Sequence, residues 1–594
     1  MKLIVTEKPS QASAICEALG IKENKKHDGY IEGDGIMATW CLGHLVEMAP
    51  PESYGEQYRK WSYETLPIIP QNWKYQVKQS TRKQFITVKS LLLRPDTEPV
   101  CATDAGREGE LIFRLVYSEA HCTKPYQRLW ISSMEEAAIK YGMDHLQPGD
   151  HYDSLYKAAL CRAKADWLIG MNGTRLYSTL YKGKVKKVGR VQTPTLAMIV
   201  DRDAEIAGFK KTVYYVVEIE ADGIRIRSDR FPNKEEVEAA LNGYQGQDIR
   251  VSSVEQKEVR SAPPKLFDLT ALQREANKMF GFTAKQTLDY LQSLYEKKLA
   301  TYPRTDSRYL TNDMESSASN LISLVKTMTG MGDDNPDIKR ILNSSRVSDH
   351  HAVIITPEVA RARLDEIPDT ERKILELIML RMAEATSTES VTMKTEIQLE
   401  CAGSIFKTSY DEPRQMGFKA YTEEFKKNHG ISKADKKQQP VRHFAVGETI
   451  PGTAWTGSVK EDATKPAQHY TESTLLNAME KAGAGETSKD AERKGLGTPA
   501  TRADIIEKLI HDGYVKRTGK KLEATDEGIK LITIIPDRLK SPSYTAEWEN
   551  RLAEIAKGET SPNVFMECIE TEVRQMVQQY NEYGKEKHDE HAGN

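Results

Sequence analysis

The sequence predicts a multidomain protein that combines an N-terminal α/β domain with separate helical and β-rich parts. A chain of 594 residues is too long for one hydrophobic core, because single cores stop growing at about 250 to 300 residues. An apolar run at residues 2–6 precedes a helical pattern from Ser10 to Leu19, as in parallel α/β sheets. Helical and strand-like periodicities then alternate along the rest of the chain.

Composition excludes some classes of protein. No segment approaches the roughly 20 apolar residues that cross a bilayer, and the N-terminus lacks the form of a signal peptide. We therefore expect a cytoplasmic protein without membrane association. The seven cysteines contain no C-x-x-C pair, which argues against a zinc ribbon and fits reduced thiols. A net charge of −3 means that any binding of nucleic acid must depend on local basic patches.

Two acidic segments each follow a predicted strand. Glu7 follows the first strand, and residues 98–103 form a second strand that leads into an acidic loop with Asp104 and Glu108. If the two strands are neighbours, the three carboxylates converge at one sheet edge. Carboxylate oxygens are the ligands that Mg2+ requires, so a metal site for phosphodiester chemistry is one interpretation. Ordinary helix capping by acidic residues is the alternative.

A tyrosine loop follows a helical stretch at residues 299–309. Pro303 cannot continue a helix and favours an extended conformation at Tyr302. Arg304 lies two residues further on, and its planar guanidinium suits a phosphate. This arrangement is compatible with attack of a phenolic oxygen on phosphorus. Taken alone, a loop of this kind is more often structural.

The remaining segments are predicted from their periodicity. Residues 151–207 are helical, residues 213–220 and 249–254 are strands, and residues 267–382 are helical again. Strands return over residues 391–460, interrupted by a basic stretch at 425–440 that we predict to be a long exposed hairpin loop. Residues 470–583 are helical with a small hairpin, and we expect a disordered tail. Strand-rich blocks on both sides of a helical block indicate a domain with an insertion.

A basic run lies between two helical segments. The run comprises Lys182, Lys184, Lys186, Lys187 and Arg190. Such a run can bind successive phosphates of a nucleic acid strand. A solvated loop is the alternative. Arg162, Asp166 and Arg175 occur at helical spacings compatible with one face of a groove. Trp61 and Trp167 are candidates for stacking on unpaired bases, and a core position is equally plausible for Trp167.

Taken together, these motifs resemble the type IA DNA topoisomerases, and the topoisomerase III subgroup in particular, from residue 1 to about 580. Nine or more signatures occur in the family's order. They are V-T-E-K-P-S, T-W-C-L-G-H-L (39–45), A-T-D-A-G-R-E-G-E, C-R-A-K-A-D-W-L-I-G-M-N-G-T-R (161–175), V-G-R-V-Q-T-P-T-L (188–196), L-F-D-L-T-A-L-Q-R-E-A-N (266–277), Y-P-R-T-D-S-R-Y-L, S-D-H-H-A-V-I-I-T (348–356), H-Y-T-E (469–472), G-L-G-T-P-A-T-R-A-D-I-I (495–506) and T-A-E-W-E (545–549).

The resemblance implies a toroid of four domains around a central hole. A Toprim domain would occupy residues 1–150, and a helical domain with a groove for single-stranded DNA would combine 151–210 with 466–583. A β-rich arch would combine 211–260 with 389–465. Residues 261–388 would form the helical domain that carries the tyrosine, and 584–594 the disordered tail.

The resemblance also implies roles for individual residues. Tyr302 would be the nucleophile and Arg304 would steady the phosphate. Glu7 would protonate the leaving 3′ oxygen, with Lys8 on the scissile phosphate, and His350, beside Asp349, would organise the site unless it is a packing or capping histidine. Mg2+ would be held by Glu7, Asp104 and Glu108. DNA contacts would come from Trp61, Arg162, Asp166, Arg175, Lys187, Val188, Gly189, Arg190, Val191 and Gln192.

The chain departs from the family pattern at three positions. The family's acidic loop usually reads D-x-D-x-E, and Gly106 replaces the middle acid here, which puts a second metal ion in doubt. Ile355 stands where many members have proline, and Gln468-His469 where an arginine is common. None of these positions is the nucleophile.

The implied activity is ATP-independent cleavage of one DNA strand, strand passage and religation, which relaxes negative supercoils and decatenates DNA. The sequence contains no G-x-x-x-x-G-K-[ST] nucleotide loop. Single-stranded or negatively supercoiled DNA is the implied partner, with a RecQ-like helicase or a single-strand-binding protein as candidate protein partners and a monomer as the expected state. The alternatives are another Toprim nuclease or primase, or a non-catalytic scaffold that binds single-stranded DNA.

Overall fold

The computed structural model describes residues 1–21, 26–131, 134, 136–181, 184–221, 223–347, 350–431, 442–488 and 495–592, with side chains to Tyr580. Within these residues, no helix has both the length and the apolar character needed to cross a membrane. Lys182 and Asp349, two residues of interest in the sequence, lie outside the described residues.

A mixed seven-stranded sheet forms the N-terminal part. The elements are β1 (Lys2–Thr6), α1 (Pro9–Ala18), β2 (Lys26–His27), β3 (Tyr30–Gly33), β4 (Ile36–Trp40), β5 (Val46–Met48), β6 (Tyr75–Val77), α2 (Arg82–Leu93), β7 (Glu98–Ala102), α3 (Arg107–Glu119), β8 (Gln127–Arg128), α4 (Glu136–Asp144) and β9 (Gln147–Pro148). The strand order is β2-β3-β4-β1-β7-β8-β9, and β5 pairs only with β6.

Strand β1 lies at the centre because both of its faces are apolar. Successive strand residues point to opposite faces, so Leu3 and Val5 pack in one buried cluster while Ile4 packs in another. β1 runs parallel to β4 on one side and to β7 on the other. The predicted α/β class of this region is confirmed.

Two long helices follow, and a β-rich part begins after them. The elements are α5 (Asp153–Leu180), α6 (Gln192–Ala207), β10 (Val213–Ala221), β11 (Ile224–Ser228), α7 (Lys234–Tyr244) and β12 (Ile249–Ser261). A helical block comes next, with α8 (Leu269–Phe280), α9 (Ala284–Glu296), α10 (Glu315–Thr329) and α11 (Asp369–Ala385). This block has its own buried core.

The chain then returns to the β-rich part. The returning elements are β13 (Ser390–Cys401), β14 (Ser404–Gln415), α12 (Lys419–Asn428), β15 (Thr449–Ile450) and β16 (Trp455–Ala463). Together with β10 to β12 they form one antiparallel half-barrel in the order β15-β12-β13-β14-β11-β10-β16. Strands from both sides of the helical block therefore share one sheet, as the predicted insertion requires.

The C-terminal part is helical with a small three-stranded sheet, β17-β19-β18. Its elements are β17 (Tyr470–Thr471), α13 (Glu472–Lys481), α14 (Pro499–His511), β18 (Val515–Thr518), β19 (Lys521–Ala524), α15 (Asp526–Ile534), α16 (Asp537–Lys540), α17 (Pro542–Lys557) and α18 (Pro562–Ala592). Side chains of α5, α6 and these helices fill one common core.

Two local predictions differ from the structure. The basic stretch at 425–440, predicted as a hairpin loop, begins inside α12, because Phe425 is buried against the helical block and anchors that helix; residues 432–440 lie outside the described residues. The tail predicted to be disordered from residue 584 continues α18 to Ala592. Lys and Glu, which are good helix formers, are frequent in this tail.

Candidate active site

The acidic residues after β1 and β7 lie at the same edge of the N-terminal sheet. The two strands are parallel neighbours, and Thr6 pairs with Ala102 at their carboxyl ends. Glu7 and Asp104 follow these positions directly. The prediction that the two strands are adjacent is confirmed, and this adjacency brings together two carboxylates that are far apart in sequence.

The backbone around Asp104 is held from two sides. The buried Arg128 guanidinium donates to the carbonyl oxygens of Thr103 and Asp104 at 2.8 and 2.7 Å. Gly109, in the first turn of α3, packs against the same loop, and a β-carbon there would lie 2.1 Å from the Asp104 carbonyl oxygen. Only glycine fits this contact, so the close approach of α3 fixes the position of the Asp104 loop.

Lys8 is the central cation of the site. Its Nζ lies 2.9 Å from Asp104 Oδ2 and 3.3 Å from Glu7 Oε1, and 4.1 Å from the centroid of the Tyr302 ring. Burial, together with the negative charge of Asp104, raises the pKa of Glu7 despite the nearby ammonium group. Burial opposes ionisation of Asp104 as well, but hydrogen bonding to His350 and the charge of Lys8 hold its pKa far below the usual range. The two carboxyl groups therefore differ, since the pKa of Glu7 is raised and that of Asp104 is lowered.

The Tyr302 loop is held by a neighbouring segment of the same helical block. The Thr301 amide donates to the Ile354 carbonyl oxygen at 2.9 Å, and Thr305 Oγ1 donates to the His350 carbonyl oxygen at 2.8 Å. The Tyr302 ring lies 4.4 Å from the His350 ring, centroid to centroid. Burial raises the pKa of the Tyr302 phenol, while the Lys8 ammonium lowers it. Lys8 is thus placed to stabilise a phenolate in a site that otherwise disfavours one.

His350 connects this loop to the acids, because its Nε2 lies 3.4 Å from Asp104 Oδ2. Gln11, in the first turn of α1, donates a hydrogen bond to the other oxygen of Asp104. Gln11 was not identified from the sequence, although it lies only three residues beyond Lys8.

A cleft of about 730 Å³ lies between the sheet edge and the helical parts. Its lining contains both acids and arginines. The lining includes Glu7, Asp104, Glu108, Tyr302, Arg304, His350, Arg274, Arg308 and Arg502. The structure thus places six of the seven residues selected for catalysis or metal binding around one open space. Arg304 is exposed to it.

Glu108 faces a different set of partners from the other two acids. Its Oε1 lies 2.9 Å from His44 Nε2, and its Oε2 lies 3.6 Å from Arg162 Nη1. Burial opposes ionisation of Glu108, but the His44 hydrogen bond and the Arg162 charge lower its pKa to about 2. His44 belongs to the motif T-W-C-L-G-H-L, but nothing in its spacing identified it as a site residue.

Across the described residues, no three or more His, Cys, Asp or Glu side chains lie close enough to one another to form a metal site by themselves. Mg2+ is usually held by only one or two carboxylates, with waters and substrate phosphates as its other ligands. Asp104 and Glu108 are both held ionised and both line the cleft. Their chemistry therefore fits Mg2+, with fewer protein ligands than the three that the sequence suggested.

A buried ionic network lies behind Glu108. Glu549 on α17 accepts a hydrogen bond from Arg107 at 2.8 Å and lies 3.3 Å from Arg190 Nη1 and 3.8 Å from Arg162 Nε. Burial opposes ionisation of Glu549, yet the three arginines lower its pKa to about 2. Sequence reasoning missed its role, since T-A-E-W-E was visible only as a motif match.

Three side chains of the basic run pair with carboxylates in this structure. The Arg190 guanidinium is buried and pairs with Asp166 at 3.0 Å, Lys187 pairs with Asp512 at 2.6 Å, and Lys186 pairs with Glu527 at 2.9 Å. Gln192 Nε2 lies 3.4 Å from Asp512 Oδ2. Three of the five basic side chains are therefore paired with carboxylates, while Lys184 is exposed and Lys182 lies outside the described residues. Binding of phosphates by this run stays a prediction.

The backbone of this segment is fixed by short-range contacts. The Val188 amide donates to Thr174 Oγ1 at 3.1 Å, and the Gly189 amide donates to Thr193 Oγ1 at 3.1 Å. Val188 is buried and Val191 is partly buried against the common helical core. These residues shape the start of α6 and present little side chain to a ligand.

Of the two tryptophans considered for stacking, Trp61 is the exposed one. Its indole is 41% exposed and lies 5.3 Å from the Arg175 guanidinium. Arg175 donates to the Tyr58 carbonyl oxygen at 2.6 Å, so it supports the segment that presents Trp61. Trp167 packs between Trp73 and Tyr54 against the helical core, which favours the packing alternative.

Comparison with protein families gives two matches. Residues 2–134 match the Toprim domain, and residues 150–567 match the family described as DNA topoisomerase. The second match alone covers more than half of the chain.

Two relatives from Bacillus have the name DNA topoisomerase 3. The chain is 38% identical to DNA topoisomerase 3 of Bacillus cereus over 99% of its own length and 83% of the relative. It is also 38% identical to DNA topoisomerase 3 of Bacillus subtilis, over 97% of the chain and 81% of the relative. Among solved structures, full-length topoisomerase I from Thermotoga maritima superposes with a TM-score of 0.72 at 22% identity, over 97% of this chain and 90% of that one. The last comparison supports the fold alone.

Proposed function

Because the chain belongs to the type IA DNA topoisomerases, we propose that it cleaves one DNA strand through Tyr302 and religates it without ATP. The observation that carries this proposal is the position of Tyr302. Its ring lies 4.1 Å from Lys8 Nζ and lines the same cleft as Glu7 and Asp104. A nucleophile and two acids therefore border one space that is open to a substrate, and a lysine lies beside the nucleophile.

The chemistry exchanges one phosphate ester for another. The Tyr302 oxygen attacks the phosphorus and loses its proton to water, a bond to phosphorus forms, and the bond from phosphorus to the 3′ oxygen breaks. Glu7, whose pKa is raised by burial and by the charge of Asp104, donates a proton to the leaving 3′ oxygen. Lys8 and Arg304 neutralise charge on the phosphate. Religation is the reverse reaction, so no net energy source is needed.

Mg2+ would be held by Asp104 and Glu108, with Glu7 close to it. When bound, the ion supplies positive charge to the phosphate and helps to align it for in-line displacement. Gly106 removes one of the acids that the family pattern contains, so the protein side chains suit one ion better than two.

We further propose the division into domains that the resemblance implied. The half-barrel of 211–260 and 389–465 would arch over a central hole, and the helical block of 261–388 would lift Tyr302 away from the Toprim domain to let a second strand pass. Relaxation of negative supercoils and decatenation would follow from this passage. Single-stranded DNA would enter along α5, beside Arg162, Asp166 and Trp61.

The test is a cleavage and relaxation assay with Mg2+ and no ATP on negatively supercoiled plasmid. The wild-type protein should form a covalent adduct at a DNA 5′ end, and Tyr302→Phe should abolish both adduct and relaxation. Tyr309→Phe is the matched control, because Tyr309 belongs to the same loop but contacts Lys265 and Arg346 instead of the acids. An adduct that persists in Tyr302→Phe would disprove this assignment.

A further inference from the structure

A second cavity borders Tyr302 apart from the acidic cleft. Its volume is about 270 Å³, and Tyr302 and His350 line both spaces, so they form the wall between them. Glu7 and Asp104 line only the acidic cleft, whereas Lys8 and Gln11 line only the second space. We refer to this second space as the tyrosine-side pocket.

The tyrosine-side pocket has the lining of a nucleotide site. Among the described residues around it there is no carboxylate, while Lys8 and Lys298 supply positive charge and Gln11 supplies an amide. Tyr295, at the end of α9, supplies an aromatic ring whose centroid lies 5.5 Å from that of Tyr302 at 75°. Aromatic rings and cations side by side are what unpaired nucleotides bind.

Tyr295 also connects the two parts of the molecule that border the pocket. Its hydroxyl lies 3.1 Å from the hydroxyl of Ser10 on α1, so the ring is held at the junction between the Toprim domain and the helical block. The ring is therefore oriented before any ligand arrives, which lowers the entropic cost of binding.

The direction of the DNA strand follows from the geometry of in-line displacement. This step rests on the proposed function, in which Tyr302 attacks and Glu7 protonates the leaving 3′ oxygen. The nucleophile and the leaving oxygen lie on opposite sides of the phosphorus, so the fragment that ends in a 3′ hydroxyl lies on the Glu7 side, in the acidic cleft. The other fragment stays attached to Tyr302 through the phosphate, and its chain must extend away from the phosphorus outside the acidic cleft.

We propose that the tyrosine-side pocket binds the nucleotide whose 5′ phosphate becomes attached to Tyr302. Its base stacks on Tyr295, and its own 3′ phosphate lies near Lys298. While the strand is open, this site holds the attached end so that its phosphate stays aligned for attack by the returning 3′ hydroxyl. Tyr295 is then a positioning residue for religation.

The experiment uses 2-aminopurine, a base whose fluorescence falls when it stacks on an aromatic ring. The cleavage site on a single-stranded oligonucleotide is first mapped with the wild-type protein. The probe base is then placed either in the nucleotide just after the cleaved bond or two nucleotides before it, and uncleaved DNA is bound to Tyr302→Phe. The first probe should be quenched about twofold or more by stacking.

Adding Tyr295→Leu should remove that quenching and leave the second probe unchanged, whereas Tyr295→Phe should keep it because the ring remains. Tyr141→Leu is the control, since Tyr141 is 66% exposed on α4 and does not line the pocket. In the protein that retains Tyr302, Tyr295→Leu should lower the rate of religation about tenfold, which is the effect expected from losing one stacking contact. The rate is measured as the disappearance of the covalent adduct.

A second measurement does not depend on the Tyr295 variants. Lys298→Gln should weaken the binding of an oligonucleotide that extends past the probe nucleotide about threefold, because the variant loses one phosphate contact. The binding of an oligonucleotide that ends at the probe nucleotide should not change. Quenching that survives Tyr295→Leu, or equal effects of Lys298→Gln on both oligonucleotides, would overturn the proposal. Failure of the proposed function would instead be seen at the mapping step, as the absence of an adduct that depends on Tyr302.

Discussion

The guanidinium of Arg107 donates a hydrogen bond to Oε2 of Glu549 at 2.8 Å, and each of these residues is only 3% exposed. Arg107 is the first residue of α3 and directly precedes Glu108, while Glu549 lies on α17 in the C-terminal helical part. This one contact therefore ties the loop that carries Asp104 and Glu108 to the helices on which DNA is proposed to lie.

Replacement of Glu549 by Gln should destabilise the protein and weaken the use of Mg2+. Arg107, Arg162 and Arg190 would lose their shared counter-ion, while Arg162 and Arg190 keep Asp166. Removal of one partner from a buried ion pair costs up to about 3 to 5 kcal/mol. Because Arg107 adjoins Glu108, the Mg2+ concentration for half-maximal cleavage should rise as well.

Both effects are measurable, by denaturant unfolding and by a Mg2+ titration of adduct formation. Glu547→Gln is the matched control, since Glu547 lies on the same helix and pairs only with Arg538 among the residues described, with its side chain 49% exposed. If Glu549→Gln unfolds at the same denaturant concentration as Glu547→Gln, the network has no structural role.

The contribution of Glu549 should depend on pH. Its folded-state pKa is lowered from its usual 4.5 to about 2, so its stabilisation is fully present above about pH 4.5 and is lost as the pH falls towards 2. A shift of this size corresponds to about 3 kcal/mol. The stability difference between the wild-type protein and Glu549→Gln should thus be largest above pH 5 and shrink steadily on acidification. A difference that stays constant from pH 6 to pH 3 would contradict this linkage.

Gly109→Ala should impair cleavage through the position of Asp104. The added β-carbon would lie 2.1 Å from the Asp104 carbonyl oxygen, and because this contact is with backbone, the loop itself must move. Overpacking of this kind costs about 1 to 3 kcal/mol, and we expect adduct formation to fall about tenfold or more.

Gly106→Ala provides the comparison for Gly109→Ala. Gly106 has an extended backbone with φ −167°, which alanine adopts without strain. Rates of adduct formation at saturating Mg2+ distinguish the two variants. Equal rates would show that the packing of α3 on the Asp104 loop does not determine the active geometry.

The proposed metal ligands predict a specific order of effects. Asp104→Asn and Glu108→Gln should each raise the Mg2+ concentration needed for half-maximal cleavage about tenfold or more, because each removes a charged oxygen ligand. Asp96→Asn is the control, as Asp96 is an exposed residue that pairs with Arg94. The measurement is cleavage of a single-stranded oligonucleotide across a Mg2+ series, with chelator as the zero point. Metal dependence that is unchanged in both variants would place the ion elsewhere.

Much of the local structure was predictable because it depends on local pattern. The apolar run at residues 2–6 and the run before Asp104 both form strands, and the alternation of helical and strand periods matches the order of the elements. The prediction failed at residues 425–428, where a single buried side chain, Phe425, anchors a helix within a strongly polar stretch. Average polarity over a window cannot report one such anchor.

The candidate site also contains some residues that the sequence identifies and others that only the fold identifies. Glu7, Asp104 and Tyr302 could be selected because their residue types and flanking elements suit phosphate chemistry. The partners of Glu108, Arg190 and Lys187 could not be selected. His44, Glu549 and Asp512, respectively, come from distant segments whose own sequence carries no sign of that pairing.

The sequence by itself determined the types of element, the chemical groups at the ends of strands and the family, because each of these depends on residues close together in the chain or on motifs in a set order. Tertiary structure determined which charged side chains form ion pairs. Whether a lysine or arginine is free for DNA or committed to a buried carboxylate depends on how helices from the two ends of the chain pack and exclude water. Lys187 and Arg190 illustrate this, since the sequence alone does not show their partners, which are Asp512 and Asp166 in the folded protein.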